Sequence, residues 1–139
     1  MIFKKNPGLD FLNQLGKDSM IDHLEIRFTA IGADFLEAEM PVNAKTKQPF
    51  GLLHGGANVV LAESMASVGA FLTLESENQQ AAGLEINANH LRAVYKGKVK
   101  GTAKPLHVGR TTQVWEIKIH NEEGKLSCIS RITLAIIDR

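Results

Sequence analysis

The sequence predicts an α+β fold, an antiparallel sheet wrapped around one long central helix. Two observations carry this. The 19 residues from Gly56 to Leu74 are apolar almost all round, with Glu63 the only ionisable side chain among them. A helix that is hydrophobic on every face is expected to be buried. On either side of this run the apolar residues recur at every second position, the period of half-buried strands.

The elements follow in order. Phe11, Leu12 and Leu15 lie at helical spacing in Asp10–Leu15 and Gly16 follows, so a short amphipathic helix is expected there. From His23 to Ala30, Leu24, Ile26, Phe28 and Ala30 alternate with polar residues, which predicts a strand. Leu36, Ala38 and Met40 alternate in a second strand that stops at Pro41. Asn43 to Pro49 is a polar loop leading to the helix. Gly83–Tyr95 reads as a strand with Leu84, Ile86 and Ala88 on one face, and Lys96-Gly97 as a tight turn. Lys98–Leu106 places Val99, Gly101 and Ala103 inward. After a turn at Val108-Gly109-Arg110, Gln113, Trp115, Ile117 and Ile119 form the next inward face. Asn121-Glu122-Glu123-Gly124 is a hairpin turn, and Leu126–Ile137 is the last strand. Four consecutive strands joined in this way predict a meander. One such sheet on one helix leaves an edge and a face uncovered, so a dimer or a larger assembly is expected.

The 139 residues suit one domain, 1–139, with no repeat or linker. A net charge of +1 gives no global argument for nucleic acid or membrane as partner. The helical run has the length of a membrane span, but Asn58, Glu63, Ser64 and Ser67 inside it argue against one. A single cysteine, Cys128, excludes an internal disulfide and fits a reducing, cytoplasmic setting; no signal peptide is expected from the first residues.

The candidate site lies at the helix. A lone carboxylate in an apolar helix is costly without a partner or a task. Upstream, Gln48 and His54 flank a glycine-rich approach, Gly51 to Gly56, to the helix N-terminus, where backbone N–H groups favour a developing negative charge. Ser67 follows Glu63 by four residues, on the same helical face. His54, His90 and His107 show no metal-ligand spacing, and no nucleophile-elbow pattern appears. The segments His90–Ala93 and His107–Thr112 offer cations and turn N–H groups suited to phosphates, with Lys96, Lys98, Lys100 and Lys104 adding charge.

Gln48-Pro49-Phe50-Gly51-Leu52-Leu53-His54-Gly55-Gly56-Ala57, then Ala62-Glu63-Ser64 with Ser67, then Gly83 to His90, resemble the hotdog-fold acyl-CoA thioesterases over nearly the whole chain. More narrowly they resemble the bacterial group containing 1,4-dihydroxy-2-naphthoyl-CoA thioesterases of menaquinone synthesis and enterobactin proofreading thioesterases. The resemblance implies a dimer with active sites at the subunit interface, paired into a dimer of dimers, and hydrolysis of acyl-CoA, with an aromatic acyl group preferred. It implies that Glu63 is nucleophile or general base, supplied by the facing subunit. The Gly55 N–H and Gln48 would bind the thioester oxygen, His54 would position the substrate, and Ser67 would orient the carboxylate or the water. Gly83 is matched to a pantetheine contact, and His90, Leu91, Arg92, Ala93, His107, Val108, Gly109, Arg110, Thr111 and Thr112 to CoA. No cofactor beyond the CoA of the substrate and no metal is implied. Met65, Val68 and Phe71 are expected to line the acyl pocket. Alternatives are proofreading of an aryl carrier protein, a hotdog hydratase, and a non-catalytic acyl-CoA-binding module.

Overall fold

A computed structural model describes residues 1–139. Helices α1 (Leu9–Leu15) and α2 (Met20–His23) precede strands β1 (Arg27–Ile31) and β2 (Leu36–Pro41). The long helix α3 (Gly55–Thr73) is followed by β3 (Gln79–His90), β4 (Lys98–Val108), β5 (Thr112–His120) and β6 (Leu126–Asp138). The six strands form one antiparallel sheet in the order β1-β2-β4-β5-β6-β3.

The period-two patterns of β2, β4 and β5 bury the residues they select. Leu36, Ala38, Met40, Val99, Ala103, Trp115, Ile117 and Ile119 are all sealed. Facing them, α3 buries Ala57, Leu61, Ala62, Met65, Ala66, Gly69 and Ala70. Small residues let the helix approach closely. A Cβ at Gly69 would stand 2.6 Å from the ring of Trp115. That ring is tied in turn to the helix end: Trp115 Nε1 donates to Gln113 Oε1 (2.8 Å), and Gln113 Nε2 donates to Thr73 Oγ1 (2.8 Å).

The structure corrects several expectations. The stretch His23–Ile26 is not strand. Ser19 starts a helical turn, and Glu25 adopts a positive φ of 60°, which breaks extension until Arg27. Leu24 and Ile26 are buried nonetheless, so the alternation marked burial correctly and conformation wrongly.

The last four strands are also not a meander. Only β4, β5 and β6 are consecutive neighbours; β3 pairs with β6 at the far edge. Lys96-Gly97 is therefore no hairpin. Leu91–Gly97 carries the chain across the sheet, held by bonds such as Leu53 N–H to Val94 O (2.8 Å). Within β3 a register shift between Gly83 and Glu85 turns Leu84 outward, where it is 63% exposed.

Helix α3, finally, is not buried all round. Its length and composition would suit a membrane span, yet half of its span-length window is buried inside the fold. The remaining face, with Val59, Val60, Ser64, Ser67, Val68 and Phe71, is half-buried, and Glu63 is exposed. Met65, by contrast, sits in the core against Gly101 and lines no pocket for a ligand.

Candidate active site

The approach to α3 is a tight loop. Thr46 fixes its base, accepting from the Asn43 N–H (3.0 Å) and donating to Pro41 O (2.9 Å). The Gln48 N–H donates to Leu52 O (2.8 Å), and the Gly51 N–H to Gln48 O (3.0 Å), with Gly51 at a φ of 91° that favours glycine. Gln48 Oε1 accepts from the Phe50 N–H. The amide oxygen is thus occupied by its own loop, and the Nε2 donor is the end left for a ligand.

His54 caps the helix. Its Nδ1 accepts from the Gly56 N–H at 2.8 Å, and its carbonyl accepts from Ala57 (3.0 Å) and Asn58 (3.3 Å). A Nδ1 that accepts carries no proton, so Nε2 is the nitrogen of this ring that can donate. Of the first helical N–H groups, these bonds leave the one on Gly55 without a partner. The result is an oriented donor at the positive end of a five-turn helix. Gly55 also lets the His90 ring close over the helix start: a Cβ there would lie 2.8 Å from His90 Nε2. Gln48, Gly55, Asn58, His90, Leu91 and Arg92 are among the residues lining a cleft of about 360 Å³ at this end.

Glu63 and Ser67 lie elsewhere. With Leu15, Ile21, Ser64, Val68 and Phe71 they line a second, largely apolar cleft of about 380 Å³. Eight residues along the helix, Glu63 stands about 12 Å from Gly55. Its Oε2 reaches over β3 and stops 2.7 Å from where a Cβ on Gly83 would be.

The two phosphate-suited segments are equally separate. His90 pairs with Cys128 at one end of β6, and Thr112 with Ala135 near the other. Seven strand residues put them about 20 Å apart. At the first end, Arg92 Nη1 donates to Leu126 O (2.9 Å) and the Leu91 N–H to Ser127 O (2.8 Å), while the outward faces of His90–Ala93 are exposed. At the second, the Gly109 N–H donates to Thr112 O (2.9 Å) and closes the β4–β5 turn, leaving Arg110 and Thr111 exposed. Lys98 and Lys100 do not add free charge to either. They pair with Glu39 (2.8 Å) and Glu37 (3.0 Å) on the outer sheet face, and the Glu39 carboxylate holds the Lys98 ammonium above its ordinary range.

One chain therefore carries two half-sites. Gln48, His54, Gly55 and His90–Ala93 gather at the start of α3; Glu63, Ser67 and Gly83 lie along its middle, with His107–Thr112 near its C-terminal end. Between them runs β3, which is paired to β6 on one side and to nothing on the other. No cluster of three His, Cys, Asp or Glu side chains suited to a metal exists. Sequence reasoning did not select Asn58; a polar residue in an otherwise apolar helical stretch was the available signal.

Comparison with known proteins bears on the family and the fold. The thioesterase superfamily profile matches residues 50–128. The chain is 56% identical over 137 residues to the 1,4-dihydroxy-2-naphthoyl-CoA hydrolase of Escherichia coli strain K12, covering 99% of this chain and 100% of that protein. It is 47% identical to the proofreading thioesterase EntH of Cronobacter sakazakii, covering 99% of each. Among solved structures, a Haemophilus influenzae thioesterase superposes with a TM-score of 0.96 at 51% identity, covering 99% of this chain and 96% of that one.

Proposed function

The chain belongs to the thioesterase superfamily and is a thioester hydrolase, and from that premise we propose that it cleaves aromatic acyl-CoA thioesters, 1,4-dihydroxy-2-naphthoyl-CoA among them, through a site completed by a second copy of the chain. The observation that carries the reading is the division of the site. The unpaired donor of Gly55 stands at the start of α3 and the exposed carboxylate of Glu63 at its middle, about 12 Å away, beside an unpaired strand edge. Antiparallel pairing of β3 with its copy about a two-fold axis brings the start of one α3 toward the middle of the other, where Glu63 stands. It also covers Leu84 and joins the two CoA segments across the interface.

In such a site the thioester oxygen lies at the Gly55 N–H and Gln48 Nε2. Both strengthen as the carbonyl oxygen gains charge. Glu63 of the facing copy acts at the carbonyl carbon, by direct attack or by taking a proton from water. Ser67, one turn away, orients that carboxylate or the water. His54 positions the acyl group, with Val68 and Phe71 as apolar wall. Water adds, the C–S bond breaks, and free acid and CoA thiol leave. Gly83 allows pantetheine to lie along β3, and Arg92, Arg110 and the Thr111–Thr112 segment face the nucleotide phosphates. No cofactor is required beyond the CoA of the substrate. The whole of 1–139 acts as one domain, with a role in menaquinone synthesis.

The test is thiol release from benzoyl-, hydroxyphenylacetyl-, hydroxynaphthoyl- and C4–C16 acyl-CoA by wild type and Glu63→Gln. Activity peaking on aromatic esters and lost by several orders of magnitude in Glu63→Gln is expected. Normal turnover in the variant would sink the mechanism. The proofreading relative supports a second substrate form, an aryl group on a carrier protein. A carrier-bound ester cleaved faster than its CoA counterpart would favour that form.

A further inference from the structure

Asn58 stands on α3 three residues after Gly55, in the wall of the same cleft, and is only 5% exposed. Its Oδ1 is sealed from solvent and has no hydrogen-bond partner. No other buried side-chain polar atom in the chain is left in that state. Thr73 and Gln113 bond each other, Ser127 donates to Ile119 O, and Ser130 donates to Asn87 O. A buried amide oxygen without a donor opposes folding, and an apolar side chain of similar size would not. The fold therefore gains nothing visible from this carboxamide.

What surrounds it points to a ligand. Gly55 presents an unpartnered N–H in the same cleft, and Gln48 has its Nε2 end free of its loop. Asn58 lies about 4.5 Å further along the helix axis than Gly55. No protein group holds Oδ1, so the carboxamide can turn about its last torsion and face the cleft without losing a hydrogen bond.

We infer that Asn58 is a substrate-recognition residue whose carboxamide hydrogen-bonds a donor a few bonds from the reacting carbonyl. Two parts of an acyl-CoA supply one: a hydroxyl ortho to the thioester on an aryl group, and the first amide N–H of pantetheine. The inference rests on the hydrolase reading above and names a contact within that site.

Three thioesters separate the sources: 2-hydroxybenzoyl-CoA, benzoyl-CoA and S-ethyl thiobenzoate, which has neither hydroxyl nor amide. Wild type and Asn58→Ala are compared in kcat/KM, with Asn58→Ser as the variant that restores a polar group. A selective loss of about 3- to 10-fold on 2-hydroxybenzoyl-CoA, partly restored by serine, assigns the contact to the acyl hydroxyl. An equal loss on both CoA esters with none on S-ethyl thiobenzoate assigns it to pantetheine. Equal loss on all three, or loss on none, overturns the inference. So does a melting temperature several degrees lower in Asn58→Ala, because the carboxamide would then serve the fold. A wild type silent on all three esters would sink the underlying hydrolase reading instead.

Discussion

Glu63 rests over a residue that has no side chain, and this can be tested by giving it one. In Gly83→Ala the new Cβ would stand 2.7 Å from Glu63 Oε2, while its next neighbours, Glu63 Cδ and Ile132 Cδ1, are at 3.8 Å, ordinary contact. A carbon and an oxygen at rest stay well above 3 Å apart, so the carboxylate must retreat by about half an ångström or more. Gly83 has no positive φ, and the displaced atom is the free end of an exposed side chain. Stability should therefore change by no more than about 0.5–1 kcal/mol, in either direction. Activity should not escape so lightly. Misplacing a reacting group by about 1 Å costs up to about 100-fold, and a 10- to 100-fold loss in kcat corresponds to about 1.4–2.7 kcal/mol of lost transition-state stabilisation. The assay is thiol release beside a thermal melt. In a Glu63→Gln background the same alanine should add almost nothing, because both changes act on one group. Full kcat in Gly83→Ala with an unchanged melt would refute the claim that the carboxylate works from its position over residue 83. A rise in KM alone would assign Gly83 to pantetheine and not to Glu63.

Further outcomes follow from the same structure. Gln113→Leu removes the partner shared by Thr73 and Trp115 and leaves the buried Trp115 Nε1–H without an acceptor; thermal or urea unfolding should show a loss of about 2–3 kcal/mol. Gly69→Ala drives a Cβ into the Trp115 ring, which cannot yield as a carboxylate can, and should destabilise by about 1–3 kcal/mol in the same measurement. Burial raises the pKa of the Cys128 thiol above that of an ordinary cysteine, so the native protein should not react with a thiol reagent at pH 8 over the minutes of an assay, and should yield its one thiol in guanidinium. Leu84→Lys sets a charge on the open β3 edge and should shift sedimentation toward the monomer and reduce turnover with it; an active, unshifted variant would argue against pairing through that edge.

The sequence alone determined much of the local structure. The bounds of α3 and β2, the β4–β5 and β5–β6 turns, and the inward faces of β4 and β5 were legible because each depends on a periodicity or a turn residue within a few positions. The elements of the candidate site were legible too, since the Gln48–Ala57 motif and the Glu63–Ser67 spacing are local. Tertiary structure decided the rest. Period two says which residues share a face of β3 but not which strand lies beside it, so only the crossover at Leu91–Gly97 placed it next to β6 and not β4. The register shift after Gly83 reversed Leu84, and the positive φ of Glu25 cut short the first strand; neither leaves a mark in hydrophobicity. An all-apolar helix likewise carries no signal for its outward side. That Glu63 lies exposed over β3, about 12 Å from the Gly55 donor, follows from how α3 packs on the sheet. Residues close in sequence became two half-sites because a straight helix separates what a motif lists together.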